Sequence, residues 1–162
     1  MTVPAPFLTR VVCFFIDLWV LQIIVSLCEF GVSKADSGFT LATNVKEAII
    51  FALLLAIRLY GESTGKNISS KRFFATTVKI DGQGGRRVAN VVKRNSWIFL
   101  AIALPLINPG LAGTSMFVVL LLWLTSTRDP MKRTLTDLWA SAEVVTRDSP
   151  AERPSRRKGK VE

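Results

Sequence analysis

The sequence predicts an all-α protein, a transmembrane bundle of about four helices with a basic cytoplasmic connection between spans 2 and 3. Three observations predict it. Hydrophobic residues make up 49% of the 162, yet the formal net charge is +9, two values that conflict in a soluble chain. The apolar and basic residues fall into separate blocks instead of alternating along amphipathic helices. The blocks also approach the roughly 20 residues that cross a hydrocarbon layer of about 30 Å. A charge at the centre of such a layer costs at least ~2.5–3.5 kcal/mol, which is why a membrane chain separates the two classes.

The first block runs from about Phe7 to Cys28 and is read as a retained helix. A cleaved signal would have a basic start and a shorter apolar region, whereas residues 1–6 carry no basic side chain and Asp17 interrupts the run. The second block centres on Ala48–Ile57 and reaches spanning length when extended back to about Thr40, with charged ends at the interfaces. Residues 61–94 form a basic connection containing a short extended candidate, Thr76–Ile80, a glycine-rich turn after Asp81, and an amphipathic helix from Arg86. Residues 97–126 are apolar except at Asn108-Pro109-Gly110, so they predict two short antiparallel spans, about Asn95–Ile107 and Leu111–Ser126. A short helix is expected from Thr134 to Ala142. A chain of this length is one folding unit. Residues 5–146 are taken as the transmembrane domain and 147–162 as a disordered basic tail, rich in Pro, Arg, Lys and Ser without an apolar face.

Basic residues set the topology. The loop after the first span has Lys34 and Lys46, the connection 61–94 has eight Lys or Arg, and the turn at 108–110 has none. Lys/Arg-rich segments stay cytoplasmic, which places both termini inside. Trp97, Trp123 and Trp139 read as interfacial anchors.

Polar residues inside the apolar blocks are the candidate functional ones. Asp17 lies near the middle of the first span and is the candidate ion or proton site; the alternative is a protonated acid that hydrogen-bonds a neighbouring helix. Gln22 and Ser26 are candidates to extend a polar seam from it. Arg10 shares the Asp17 face but leans away from it toward the helix N-terminus, so its expected partner is Asp137, as a structural latch or a gate. Arg58, Glu62, Lys66, Arg94 and Asn95 are expected in an interfacial polar network. Lys71, Arg72, Arg86, Arg87 and Lys93 are expected to meet anionic lipid headgroups.

Several classes are disfavoured. There is no histidine, and Cys13 and Cys28 lie about 22 Å apart along one helix, so neither a Cys/His metal site nor an intrachain disulfide is expected. Gly61-Glu62-Ser63-Thr64-Gly65-Lys66 has three residues between its glycines where a phosphate loop needs four, and Asn67 follows the lysine. Nucleic acid is not an expected partner, since stacking aromatics are few in the basic connection. No nucleophile–base pair and no paired carboxylates appear, so neither an enzyme nor a cofactor is expected.

Leu8-Thr9-Arg10 through Ile16-Asp17-Leu18, Gly61 to Lys66, Val78-Lys79-Ile80-Asp81-Gly82, Arg94-Asn95 and Thr134 to Leu138 together resemble the RDD family of small bacterial membrane proteins. The family is named for an arginine and two aspartates, and the match covers about Ala5 to Arg147. The resemblance implies a multi-pass helical bundle in a bacterial inner membrane, with transport the usual suggestion. The chain departs from it at Thr136, where family members often have His before the last Asp.

Three functions compete. One is transport, for example of a monovalent cation against protons at Asp17, with a homo-oligomer needed to widen so thin a bundle. The second is a non-catalytic accessory that binds a larger membrane protein. The third is a role at the lipid surface, through the basic connection.

Overall fold

The computed structural model describes residues 2–35, 39–66, 70–111 and 113–147. The tail expected beyond Arg147 lies outside them, as do the side chains of Arg72 and Trp123. The described chain is mostly helical.

Helix α1, Phe7–Ala35, spans 29 residues, about 43 Å at 1.5 Å per residue. Pro6 sets its start, and its carbonyl accepts the Arg10 N–H at 3.3 Å. Helix α2 is Thr43–Thr64, closed by Gly65 at φ 71°, a left-handed cap that glycine adopts without a Cβ penalty. The connection then folds as α3 (Ser70–Phe73), strand β2 (Thr76–Ile80) and α4 (Gly84–Arg94). A break at Asn95 leads into α5 (Ser96–Ile107). The Asn108 side chain accepts the Gly110 N–H at 2.9 Å, a local turn that reverses the chain into α6 (Thr114–Thr125). Helix α7 is Leu135–Trp139, shorter than the helix expected to reach Ala142.

The all-α expectation is corrected here. Strand β1 (Thr2–Pro4) and strand β3 (Ala142–Arg147) join β2 in an antiparallel sheet of order β1-β3-β2, with Val3 opposite Thr146 and Thr77 opposite Val145. The physical reason is range. Three- to six-residue strands drawn from the two ends and the middle of the chain carry too little periodicity to be read locally.

The long helices α1, α2, α5 and α6 alternate in direction. At one end Lys46 Nζ meets Glu29 at 2.9 Å, Asn44 reaches the Pro105 carbonyl at 3.4 Å, and Glu47 accepts the Gly113 N–H at 3.0 Å. At the other end sit the sheet, α3, α4 and α7. Between them Phe14, Leu21, Val25, Ile50, Phe51, Leu54, Ile98 and Ala101 make one apolar core. Trp97 belongs to this core. Its ring lies 5.8 Å from that of Phe14 and 6.3 Å from that of Phe51, so its role as an interfacial anchor is corrected: α1 and α2 close over it. Trp139 is exposed, with Lys93 Nζ 5.9 Å over its ring.

Among the described residues only α1 is long and apolar enough to cross a membrane by itself. Helix α2 carries Lys46, Glu47, Arg58 and Glu62 near its ends, and α5 and α6 have 12 residues each, about 18 Å. Ile98 is fully buried and Ile107 is 80% exposed. Ile98→Ala is therefore expected to cost about 2–5 kcal/mol in a thermal melt, and Ile107→Ala far less. Equal effects would contradict this packing.

Candidate functional site

Charged residues from α1, α2, α3, α4 and α7 converge at the sheet end of the bundle. Glu62, near the C-terminus of α2, is buried and is held from three sides. It is ion-paired to Arg94 Nη1, accepts from Lys71 Nζ at 2.7 Å, and accepts from Asn95 Nδ2 at 3.0 Å. Arg94 turns its other edge to Asp137, with Nε 2.6 Å from Oδ1. Arg10 approaches the same carboxylate, with Nη1 3.4 Å from Oδ2, and donates through Nη2 to the Val144 carbonyl at 3.2 Å. The result is a chain of alternating charge, Lys71–Glu62–Arg94–Asp137–Arg10, that ties five helices and a strand together.

Local sequence explains why each group arrives. Thr134 and Asp137 form a reciprocal capping box at the start of α7: the Asp137 N–H donates to Thr134 Oγ1 at 3.2 Å, and the Thr134 N–H donates to Asp137 Oδ2 at 3.1 Å. The box fixes the carboxylate toward Arg94. Burial alone would raise the Asp137 carboxyl, but the Arg94 guanidinium and its hydrogen bond, the Thr134 N–H and Arg10 hold it below the usual carboxylate range. Burial works against the Arg94 cation too, and Glu62 and Asp137 outweigh it, so its affinity for a proton rises. Burial pushes the Lys71 ammonium down, with Glu62 opposing the shift.

Asp17 belongs to the same end of the bundle as these charges. It lies ten residues into α1, about 15 Å along the axis, and its Oδ1 accepts the Ser70 N–H at 3.1 Å. Ser70 in turn donates through Oγ to the Cys13 carbonyl at 2.9 Å. Asp17 is thus level with the polar connection, because the first turns of α1 stand among the charged elements. Gln22 and Ser26 do not extend its face. At about 100° per residue they lie roughly 140° and 180° around α1, where Gln22 Nε2 contacts Ser26 Oγ at 3.4 Å on the exposed side.

Two further assignments change. Lys71 and Arg87, grouped with the outward basic residues, face inward. Lys71 bonds Glu62, and Arg87 Nη2 donates to the Glu62 carbonyl at 3.1 Å, because α3 and α4 fold back over the end of α2. Lys66, expected in the network, is exposed beyond the Gly65 cap with its Nζ 6.0 Å over the Tyr60 ring; Lys71 occupies the place beside Glu62. Arg86 is exposed, and Lys93 is partly buried over Trp139.

A cavity of about 70 Å³ opens inside this cluster, lined among others by Arg10, Asp17, Arg58, Lys71, Arg94 and Asp137. The Thr76, Thr134 and Thr136 side chains also reach it. At about 10–15 Å³ per water it has room for roughly five. Arg58 stands apart from the ion-pair chain. Its guanidinium lies 5.6 Å from the Phe14 ring centre and 6.0 Å from that of Trp97, and no hydrogen bond from it is seen among the described residues. Arg10 Nε is likewise buried without a partner. Among the described residues no group of His, Cys, Asp and Glu is arranged to hold a metal ion.

No protein-family model, curated protein or solved structure matches this chain.

Proposed function

We propose that the chain is a small multi-pass membrane protein, inserted through α1, α2, α5 and α6 with the charged end in the cytoplasm, and that its role is transport-related. The apolar outer surface supports insertion. Trp19, Leu27 and Phe30 on α1, Phe99, Leu100 and Ile107 on α5, and Phe117 and Leu124 on α6 are all exposed, a far larger apolar belt than a soluble monomer presents. The eight Lys and Arg of 61–94 lie at one end, and the turn at the other end has none. The resemblance to the RDD family, and with it a bacterial inner membrane, fits this reading: Arg10, Asp17 and Asp137 all line one cavity.

That cavity is the observation that carries the transport reading. A polar hollow surrounded by ionisable groups at one end of an apolar-surfaced bundle is a vestibule for an ion. Below it the core of a single chain is closed by Phe14, Leu21, Leu54 and Ile98, so the path through the bilayer requires a second copy or a rearranged state. Asp17, on the cavity wall, is the carboxylate on which the transport reading turns. Reconstituted vesicles test this: Asp17→Asn should reduce ion flux at least tenfold while the protein still inserts. Unchanged flux removes Asp17 from the mechanism. Resistance to a carbonate wash checks insertion itself.

The exposed Gln22 and Ser26 pair favours a second reading. Polar side chains on an apolar outer face stabilise contact with another membrane helix. A non-catalytic accessory of a larger membrane protein would use them, and it should co-purify with that partner in fixed stoichiometry in mild detergent.

A further inference from the structure

The cavity's charges do not balance. Arg10, Arg58, Lys71 and Arg94 face it, against Asp17 and Asp137, with Glu62 directly behind and bonded to both Lys71 and Arg94. Four cations against three carboxylates leave one positive charge. The next groups out, Lys79 and Glu143, stand opposite each other in the sheet, and Arg87 adds another positive charge at the Glu62 carbonyl, so the wider sum stays positive. The carboxylates are already engaged. Asp137 accepts from Arg94, Arg10 and the Thr134 N–H, and Asp17 accepts from the Ser70 N–H. The free donors belong to the cations. Arg58 gives no hydrogen bond to a described residue, Arg10 Nε is buried and unpartnered, and Lys71 has N–H groups beyond the one on Glu62.

We propose that this cavity is a binding site for one oxyanion group of the phosphate type, with Arg58 as its principal ligand and Lys71, Arg10 and Thr136 as supporting donors. A half-buried cation whose Nε is buried without a hydrogen-bond partner is costly, and its guanidinium fork matches a tetrahedral oxyanion better than a bare ion. Room for roughly five waters corresponds to the five heavy atoms of phosphate. This deepens the vestibule reading by naming the ligand class, and rests on it only for the ligand's use in transport. The group is either inorganic phosphate from the aqueous side or the headgroup of an anionic lipid.

The full chain in an uncharged detergent provides the test. Inorganic phosphate, titrated at constant ionic strength, should raise the thermal unfolding midpoint saturably, by roughly 5 °C or more at a hundredfold excess over Kd. A short-chain phosphatidic acid, added to the same micelles, forms the second arm. Protection by phosphate identifies the free ion, and protection by the lipid alone identifies the headgroup; either supports the site. Arg58→Gln should weaken that protection at least tenfold, while Lys34→Gln, exposed at the far end of α1, should leave it unchanged. Because Arg58 holds no carboxylate directly, Arg58→Gln should also melt at or above the parent temperature without ligand. A structural arginine would give the opposite. The proposal is overturned if neither phosphate nor lipid shifts the midpoint, or if both protect Arg58→Gln as well as the parent. Carbonate extraction is scored separately, so a protein that binds phosphate but washes off membranes would keep this site and lose the membrane reading.

Discussion

Arg94→Met is expected to destabilise the protein by about 3–5 kcal/mol, measured as a fall in the unfolding midpoint in detergent. The substitution keeps much of the side-chain length but removes the one group that bridges Glu62 and Asp137. Both carboxylates would remain buried, Glu62 with Lys71 and Asn95 and Asp137 with the longer Arg10 contact. The energy arises from the uncompensated acids more than from the lost pair. Adding Glu62→Gln to Arg94→Met should therefore restore part of the loss, and the double-mutant cycle should show coupling of roughly 1–3 kcal/mol. Arg94→Lys should fall between, since an ammonium is a point charge and cannot face two carboxylates along separate edges. Arg86→Met, on the exposed face of the same helix, is the control and should stay within about 0.5 kcal/mol. An Arg94→Met protein as stable as the parent would mean that the ion-pair chain does not hold the bundle end together.

The parts of this site that sequence could show are those that break a pattern. Arg10 and Asp17 stand out because they interrupt an apolar run, and Asp137 because it follows Thr134 at capping spacing. Helix heptad geometry also fixes that Arg10 and Asp17 share a face. Glu62 and Arg94 are expected in one interfacial network, but they are 32 residues apart and sit among other charges, so their direct pairing at its centre carries no mark of its own. Lys66 is four residues from Glu62 and would pair with it on a continuing helix, but the left-handed Gly65 ends the helix first and delivers Lys71 instead. Trp97 illustrates the same limit. A tryptophan beside a charged segment fits an interface by composition, and only the packing of α1 and α2 over α5 shows it as core. The sheet was half legible: Thr76–Ile80 is β-branched and bounded by turns, while its partners come from chain segments with no visible alternation. Local chemistry is readable from one sequence; long-range pairing is not.

Asp137 offers a sharper separation of charge from geometry. Asp137→Asn keeps an acceptor oxygen for the Thr134 N–H, so the capping box of α7 survives in part while the charge facing Arg94 and Arg10 is lost. Asp137→Ala removes both and should be worse by about 1 kcal/mol, the usual value of a helix cap. Acid should reveal the same charge in the parent protein. In the unfolded chain the Asp137 carboxyl titrates near the ordinary value of about 3.9; in the folded chain it is held lower. As pH falls, the unfolded state takes up the proton first. The stabilisation is thus complete above about pH 4 and is lost as pH drops through the folded value. Unfolding midpoints recorded between about pH 7 and pH 3 should fall on the acid side in the parent, and less steeply in Asp137→Asn. The variant starts from a lower midpoint at neutral pH, because two guanidinium groups remain buried without their shared carboxylate. If the two curves ran parallel throughout, the acid limb would belong to other groups, and the coupling between α7 and the Arg94 network would carry no charge-dependent stability.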